Sequence, residues 1–253
     1  TQHESTLNMS HELHNALVNL IGRRQWNSIM EEVNILIVNY TEEDLQEALL
    51  VKNIFGWLPI HYACKYRAPL EVFRMLLDSD THKNSIFEKD DEGSLPIHFA
   101  CEENAPVEVI QLLLDSDTGK KTIFEKEIDG CLPIHFACEE GAPVEVIRLL
   151  LDNDDDKKTI LEKDNIGRLP IHVACLTRAT VEVIQLLLDS DTDKKSIFEK
   201  EGLGRLPIHL ACEWDAPVAV LQLLLESDTD KRTIFEVNID NYRFSPTKHL
   251  ILV

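Results

Sequence analysis

The stretch from Gly93 to Leu114 reads GSLPIHFACEENAPVEVIQLLL, and close copies of it return every 37 residues along the 253-residue chain. Glycine, proline, histidine and cysteine each keep this spacing through five copies: Gly56, Gly93, Gly130, Gly167 and Gly204; Pro59, Pro96, Pro133, Pro170 and Pro207; His61, His98, His135, His172 and His209; Cys64, Cys101, Cys138, Cys175 and Cys212. A constant period of roughly 20 to 50 residues indicates stacked structural repeats.

One copy predicts two helices and a connecting loop. Its glycine suits a tight turn, and Pro96 suits the first turn of a helix. Ile97, Ala100 and Cys101 are spaced i, i+3 and i+4, so they share one face of that helix. A second proline precedes a run rich in Val, Ile and Leu, which is typical of a helix buried between neighbours. Because such a unit cannot bury both of its faces alone, we predict an all-α solenoid of helix-turn-helix repeats joined by short extended or hairpin loops.

The repeat period also predicts the domain organisation. The five copies span residues 56–92, 93–129, 130–166, 167–203 and 204–240, between an N-terminal helical cap at 1–55 and a degenerate C-terminal cap at 241–253. Two helical stripes are expected in the N-terminal cap: Leu13, Leu17, Leu20 and Ile21, then Trp26, Ile29, Met30 and Val33. Thr41 and Asp44 have the spacing of a helix start. We therefore expect one solenoid and not two globular domains. Since the sequence begins at Thr1 and not at Met, we also expect it to be a processed or trimmed piece of a longer chain.

The repeated string Gly-x-Leu-Pro-Ile-His-x-Ala-Cys, followed by Pro-Val-Glu-Val-Ile-x-Leu-Leu-Leu, resembles the ankyrin repeat. The signature of that family is Gly-x-Thr-Pro-Leu-His-x-Ala-Ala before a second helix rich in Val and Leu. This chain has Leu where the family has the helix-capping Thr, and an acidic loop where the family has a glycine after the second helix. Its unit is also about four residues longer than the usual 33. The resemblance implies that each repeat histidine hydrogen-bonds to the backbone and braces the turn.

Composition and charge restrict the partners. The chain has 44% hydrophobic and 28% charged residues, which is the balance of a folded protein. It has 45 acidic against 25 basic residues, a formal net charge of −20, which argues against nucleic acid or an anionic membrane as a partner. No apolar run approaches the roughly 20 residues of a membrane span, and no signal-peptide pattern opens the chain.

The cysteines predict a reducing intracellular compartment, cytoplasm or nucleus. Five of the six share one helical slot that faces a neighbouring copy, so they are expected to be small buried thiols and not disulfides. Cys131 occupies a different slot, which holds Trp57, Ser94, Arg168 and Arg205 in the other copies, and we expect it to be exposed and free.

No motif predicts catalysis, so we expect neither an enzyme nor a cofactor. The repeat histidines would lie about 10 Å apart, too far to share a metal. A weaker alternative is calcium binding by acidic loops with carboxylates at alternate positions: Asp152, Asp154 and Asp156; Asp189, Asp191 and Asp193; Glu226, Asp228 and Asp230. Lysine stands at the sixth position of these loops, where a calcium loop needs glycine, so no metal is the preferred interpretation.

Repeat positions that hold the same residue in every copy are expected to pack between copies. Positions that vary among the copies are therefore the candidate partner surface. In proteins that resemble ankyrin repeats, the turn tips and first helices line a concave face that binds partners. The residues predicted for partner binding are Trp57, Tyr62, Tyr66, Arg67, Glu102, Glu103, Glu139, Glu140, Arg168, Leu176, Arg178, Arg205, Trp214 and Asp215. Trp, Tyr and Arg dominate binding hot spots, and the glutamates would select a basic counterpart.

The preferred functional hypothesis is a non-catalytic module that binds another protein, one with a basic patch, through this concave face. Two alternatives remain open. The negative charge could act as a decoy or chaperone surface for a basic protein, or the acidic loops could make the chain a calcium-stabilised scaffold.

Overall fold

The computed structural model describes residues 2–24, 41–229 and 233. Within these ranges the protein is all-helical, with twelve α-helices, four short 3-10 helices and no strand, as predicted. The second stripe of the N-terminal cap (Trp26, Ile29, Met30 and Val33) lies outside the described residues. So do residues 230–232 and 234–240 of the fifth copy and the C-terminal cap at 241–253.

The helices follow the repeat. Two N-terminal helices, α1 (Gln2–Arg23) and α2 (Glu42–Leu50), precede five pairs: α3 (Pro59–Lys65) and α4 (Leu70–Ser79); α5 (Pro96–Glu102) and α6 (Val107–Ser116); α7 (Pro133–Glu139) and α8 (Val144–Asp152); α9 (Pro170–Leu176) and α10 (Val181–Ser190); α11 (Pro207–Glu213) and α12 (Val218–Ser227). Short 3-10 helices follow four of the pairs, at Asn84–Phe87, Thr122–Phe124, Lys158–Leu161 and Lys195–Phe198.

The first helix of each pair begins without a side-chain cap from its leucine. Pro stands at the first helical position, and the preceding Leu has an extended backbone. Instead, the backbone N–H of the Leu donates to Nδ1 of the repeat histidine three residues later, at 2.9 to 3.1 Å in all five copies. This confirms the bracing role of the histidine. It also explains how the helix starts without the usual threonine, because the histidine satisfies a backbone N–H just ahead of the first turn.

The core lies between the two helices of each pair. The small residues of the first helices, such as Ala100 and Cys101, are buried, and so are Leu113 and Leu150 on the second helices. In the N-terminal part Leu13, Leu17, Leu20 and Ile21 are buried as predicted. Thr41 and Asp44 form the predicted capping box at the start of α2.

The described residues fall into two compact units, those up to Ile128 and those from Asp129 onward. In the first unit α1 packs against α2 and α3, while α3 packs against α5 and α4 against α6. In the second unit α9 packs between α7 and α11, and α10 packs between α8 and α12. Within each unit, first helices therefore stack on first helices and second helices on second helices. The exact division into two caps and five copies stays a prediction.

Cys131 is buried, with 5% of its surface exposed, so the expectation of an exposed thiol was wrong. Its slot follows the repeat glycine and is partly covered in the other copies too, where Trp57 and Arg168 are half-buried and Ser94 is buried. A side chain as small as cysteine is therefore covered completely. None of the six cysteines forms a disulfide in the described ranges, and burial raises the pKa of the Cys138 thiol to about 12.

Candidate functional site

The loops between copies end in tips that are joined side by side by backbone hydrogen bonds. In the first unit the N–H of Asp91 donates to the carbonyl of Phe55 at 3.1 Å, and Ile128 donates to Glu92 at 2.8 Å. In the second unit Asn165 donates to Asp129 at 2.9 Å, and Gly202 donates to Ile166 at 2.8 Å. The following glycine is required at such a close approach. Gly56 has a φ of +76°, and a Cβ there would lie 2.7 Å from the backbone nitrogen of Asp91.

In at least one loop of each unit, a polar side chain accepts backbone N–H groups and fixes the conformation of the tip. Asn53 Oδ1 accepts the backbone N–H groups of Phe55 and Trp57 at 2.8 Å, and Asp164 Oδ1 accepts that of Arg168 at 2.7 Å. These acceptors occupy the inside of the turn. The side chains at the tip therefore point away from the core and into solvent.

The loop tips carry the most exposed large hydrophobic residues among those the structure describes. They are Ile54 (86% exposed), Ile128 (66%), Phe55 (58%), Leu203 (58%) and Ile166 (57%). All five lie in the two positions before the repeat glycine. Large apolar side chains that are exposed at the same position of several loops make these tips a candidate interaction surface.

The sequence-based prediction missed these five residues, because it compared only the positions after the glycine, after the histidine and at the ends of the first helices. A signal was present in the two preceding positions, which hold an apolar side chain in four of the five copies: Ile54-Phe55, Asp91-Glu92, Ile128-Asp129, Asn165-Ile166 and Gly202-Leu203.

In the first unit, three of the residues predicted for partner binding lie in one aromatic cluster. Trp57 contacts Tyr62 edge to face, with ring centroids 5.3 Å apart, and Tyr62 lies 6.0 Å from Tyr66. Phe55 at the tip lies 6.1 Å from Trp57, and the buried Phe99 lies 5.1 Å from it. The cluster thus connects an exposed tip to the first helix α3.

The charged residues predicted in the first unit make internal contacts. The ammonium of Lys65 lies 2.5 Å from a carboxylate oxygen of Glu103 and 3.6 Å from one of Glu102. The Arg67 guanidinium donates to the carbonyl of Asn104 at 3.0 Å. Exposed ion pairs of this kind are weak, so a partner could compete for them.

In the second unit, two predicted arginines are held by carboxylates close to them in the chain. Arg168 lies 2.7 Å from Asp164, and Arg205 lies 2.9 Å from both Glu201 and Glu213. Asp164 and Glu201 are buried, so these guanidinium groups brace the loops from within. The glutamates predicted at the end of α7, Glu139 and Glu140, are exposed.

The end of α11 presents the largest exposed aromatic side chain in the described part of the second unit. Trp214 is 44% exposed, and its carbonyl accepts a hydrogen bond from the Arg178 guanidinium. Arg178 and Asp215 are exposed and Leu176 is half-buried. All four predicted residues therefore lie at the ends of the adjacent first helices α9 and α11.

The acidic loops use their central carboxylate for structure. Oδ2 of the buried Asp154 accepts the backbone N–H and the hydroxyl of Thr159, at 2.7 and 2.8 Å. Asp191 accepts the N–H of Ser196 in the same way, and Asp228 accepts that of Thr233. The described residues contain no group of three His, Cys, Asp or Glu side chains arranged to hold a metal ion.

The other carboxylates of these loops are exposed or paired. Asp156 lies 2.6 Å from Lys158, Asp193 lies 2.7 Å from Lys195, and Asp189 accepts a hydrogen bond from Gln185 at 2.8 Å. Asp152 and Glu226 are exposed, and Asp230 lies outside the described residues. The lysine at the sixth position, as at Lys157 with a φ of +54°, takes the left-handed conformation that a glycine would take. The lysine is therefore no argument against a calcium loop. The argument against it is that the central carboxylate already accepts hydrogen bonds from the protein.

Comparison with known families gives one match. The family model described as ankyrin repeats matches three overlapping segments, at residues 25–123, 97–198 and 134–234. A search among curated proteins found none that matches. None of the described helices combines the length and the apolar character that crossing a membrane requires.

Proposed function

Because the chain belongs to the ankyrin-repeat family, we propose that it is a non-catalytic module that binds another protein through its loop tips and the ends of its first helices. Ankyrin repeats bind other proteins and typically act as scaffolds without catalysis. The observation that carries the proposal is that the five most exposed large hydrophobic residues of the described chain all lie at the loop tips. A monomeric protein seldom exposes apolar residues repeatedly on one kind of element without a partner to cover them.

The partner that fits best combines apolar side chains with basic residues. Ile166 and Leu203 offer apolar contact at the tips of the second unit, and Trp214 offers an aromatic anchor at the end of α11. Glu139 and Glu140 and the net charge of −20 favour basic groups on the partner. The six cysteines without a disulfide support a reducing intracellular compartment.

Three single variants of the chain test this function. Each variant is used as bait in native extract, and the amount of captured partner is compared with that of the wild type. Leu203→Asp places a charge at an apolar tip, and Trp214→Ala removes the anchor. Each should reduce capture of the same partner at least tenfold, which is the effect of roughly 1.4 kcal/mol. Gln222→Asp is the matched control, because it adds the same charge at an exposed position of α12, away from the tips. Equal capture by all three variants and the wild type would remove the tips and Trp214 from the binding surface.

Salt separates this proposal from a purely electrostatic decoy or chaperone surface. Charge contacts weaken as the Debye length falls from about 10 Å at 0.1 M to about 3 Å at 1 M salt, whereas apolar contacts persist. We expect measurable capture at 1 M NaCl that still depends on Leu203 and Trp214. Complete loss at 1 M together with insensitivity to both variants would favour the decoy surface.

A further inference from the structure

Two arginines at the ends of first helices tie one copy to the next. Arg67 in the first unit donates to the carbonyl of Asn104, and Arg178 in the second unit donates to the carbonyl of Trp214. Both arginines have a positive φ, at +54° and +59°. Their aliphatic stems cross the junction between adjacent copies, and their guanidinium groups reach a backbone oxygen at the end of the next first helix.

Gly141 occupies the same slot at the end of α7 and has the same left-handed backbone, with a φ of +65°. It has no side chain to cross the junction with the next copy, and a Cβ placed on it would meet nothing within 4 Å. Within the described residues, no hydrogen bond reaches the carbonyl of Thr177 or Arg178, which are the equivalent acceptors on the next copy. The contact that Arg67 and Arg178 make in two of the other copies is missing here.

A groove of about 120 Å³ lies at this junction. Its walls are mostly apolar and come from both copies, with Ala137, Cys138 and Ala142 on one side and Ala179 and Val183 on the other. Thr177 and Arg178 also line it. The exposed Glu139 and Glu140 do not line the groove, but they immediately precede Gly141 in the chain, so they bring negative charge close to it.

We propose that this groove receives an arginine side chain of the partner protein, which replaces the arginine that the chain itself lacks at Gly141. The stem packs against the alanines, and the guanidinium donates to the carbonyl of Arg178 and faces Glu139 and Glu140. Arginine fits better than lysine, because its planar group offers several N–H donors and is more weakly hydrated. This inference deepens the proposed function and rests on it.

A short peptide tests the groove directly. The probe is acetyl-Gly-Arg-Gly-amide, titrated into the isotope-labelled full chain while backbone amide shifts are recorded by NMR. We expect saturable shifts concentrated at Gly141, Arg178 and Ala179. The same peptide with citrulline, which keeps the shape of arginine without its charge, should produce shifts at these amides at least fivefold smaller.

Two variants at Gly141 complete the test. Gly141→Arg lets the chain fill its own groove, as Arg67 does elsewhere, and should abolish the shifts. Gly141→Asn is the control, because Asn104 accepts the left-handed conformation in another copy and its side chain is too short to cross the groove; it should keep the shifts. Equal shifts with the citrulline peptide, or shifts that persist in Gly141→Arg, would overturn the inference. Either result leaves the proposed function standing if Leu203→Asp and Trp214→Ala still reduce partner capture.

Discussion

The repeat histidine shows how one side chain can fix both a turn and a protonation state. Nδ1 of His98 accepts the N–H of Leu95 at 2.9 Å, so that nitrogen carries no proton, and Nε2 donates to the carbonyl of Glu125 at 2.9 Å. A charged imidazolium would bring two N–H groups face to face. Burial accordingly lowers the pKa of His61, His98 and His172 to about 4.

These histidines predict acid destabilisation in a defined pH window. Their folded-state pKa of about 4 lies below the ordinary value of 6.5, so between these values the unfolded chain binds more protons than the folded chain. Stability is therefore complete above pH 6.5 and falls as the pH drops toward 4. Each histidine contributes up to about 1.4 kcal/mol per pH unit to this fall. Urea unfolding at pH 7.5, 6 and 5 measures it.

His98→Gln is the matched variant for this prediction. Glutamine at the third helical position can still reach back to the N–H of the capping residue, and it does not titrate. Between pH 6.5 and 5, the slope of the unfolding free energy against pH should decrease by about the contribution of one histidine. An unchanged slope would mean that His98 is not a source of the pH dependence.

At the scale of the elements, an acidic loop ends the second helix of each copy. It takes the place of the glycine that follows this helix in the usual ankyrin repeat. Asp154 lies just beyond the end of α8, and its carboxylate accepts the backbone N–H of Thr159 inside the next 3-10 helix. The ammonium of Lys157 donates to the carbonyl of Leu151 at the end of α8. One loop thus satisfies groups at the end of one helix and at the start of the next.

Asp154→Ala should destabilise the protein by about 1–3 kcal/mol, because it removes a buried acceptor from the N–H and the hydroxyl of Thr159. Asp156→Ala in the same loop is the control. Its carboxylate is exposed and pairs with the exposed Lys158, so its loss should lower the free energy of unfolding much less. Chemical unfolding of both variants measures the difference, and equal losses would contradict the capping role of Asp154.

At the scale of the whole molecule, the net charge of −20 opposes the folded state through self-repulsion. Several ion pairs reduce this repulsion locally. The chain has 20 more acidic than basic residues, so most of the excess negative charge has no basic side chain to neutralise it. Added salt should therefore stabilise the fold.

The melting temperature should rise by a few degrees between about 0.01 and 0.15 M NaCl, as the Debye length falls from about 30 to about 8 Å. Calcium chloride and magnesium chloride at equal ionic strength should give the same melting temperature, because the central carboxylates of the loops are already engaged. Differential scanning calorimetry measures both effects. A melting temperature raised by calcium alone would restore the calcium-stabilised scaffold.

Much of the fold could be predicted from the sequence, but less of the candidate site. The period of 37 residues and the apolar spacing place the helix pairs, because burial at helical spacing leaves a local pattern. The aromatic cluster of Trp57, Tyr62 and Tyr66 also lies within predicted slots. The prediction failed at Cys131, because a slot that only half-buries Trp57 and Arg168 covers a smaller side chain, and it missed the exposed tips.

The sequence by itself determined the repeat, the two helices of each copy, the histidine at each turn and the apolar core, since each depends on residues close together in the chain. Only the tertiary structure decided which variable side chains are available to a partner. Arg168, Arg205 and Arg178 are all arginines at variable positions of the repeat. Arg168 and Arg205 bind carboxylates within their own loops, whereas Arg178 reaches the next copy. Ile54 and Ile166 look like ordinary apolar residues in the sequence, and they are exposed because the polar groups of their loops occupy the inside of the turn. These outcomes depend on distances between atoms that the backbone brings together in three dimensions, and a local pattern of residue types does not contain them.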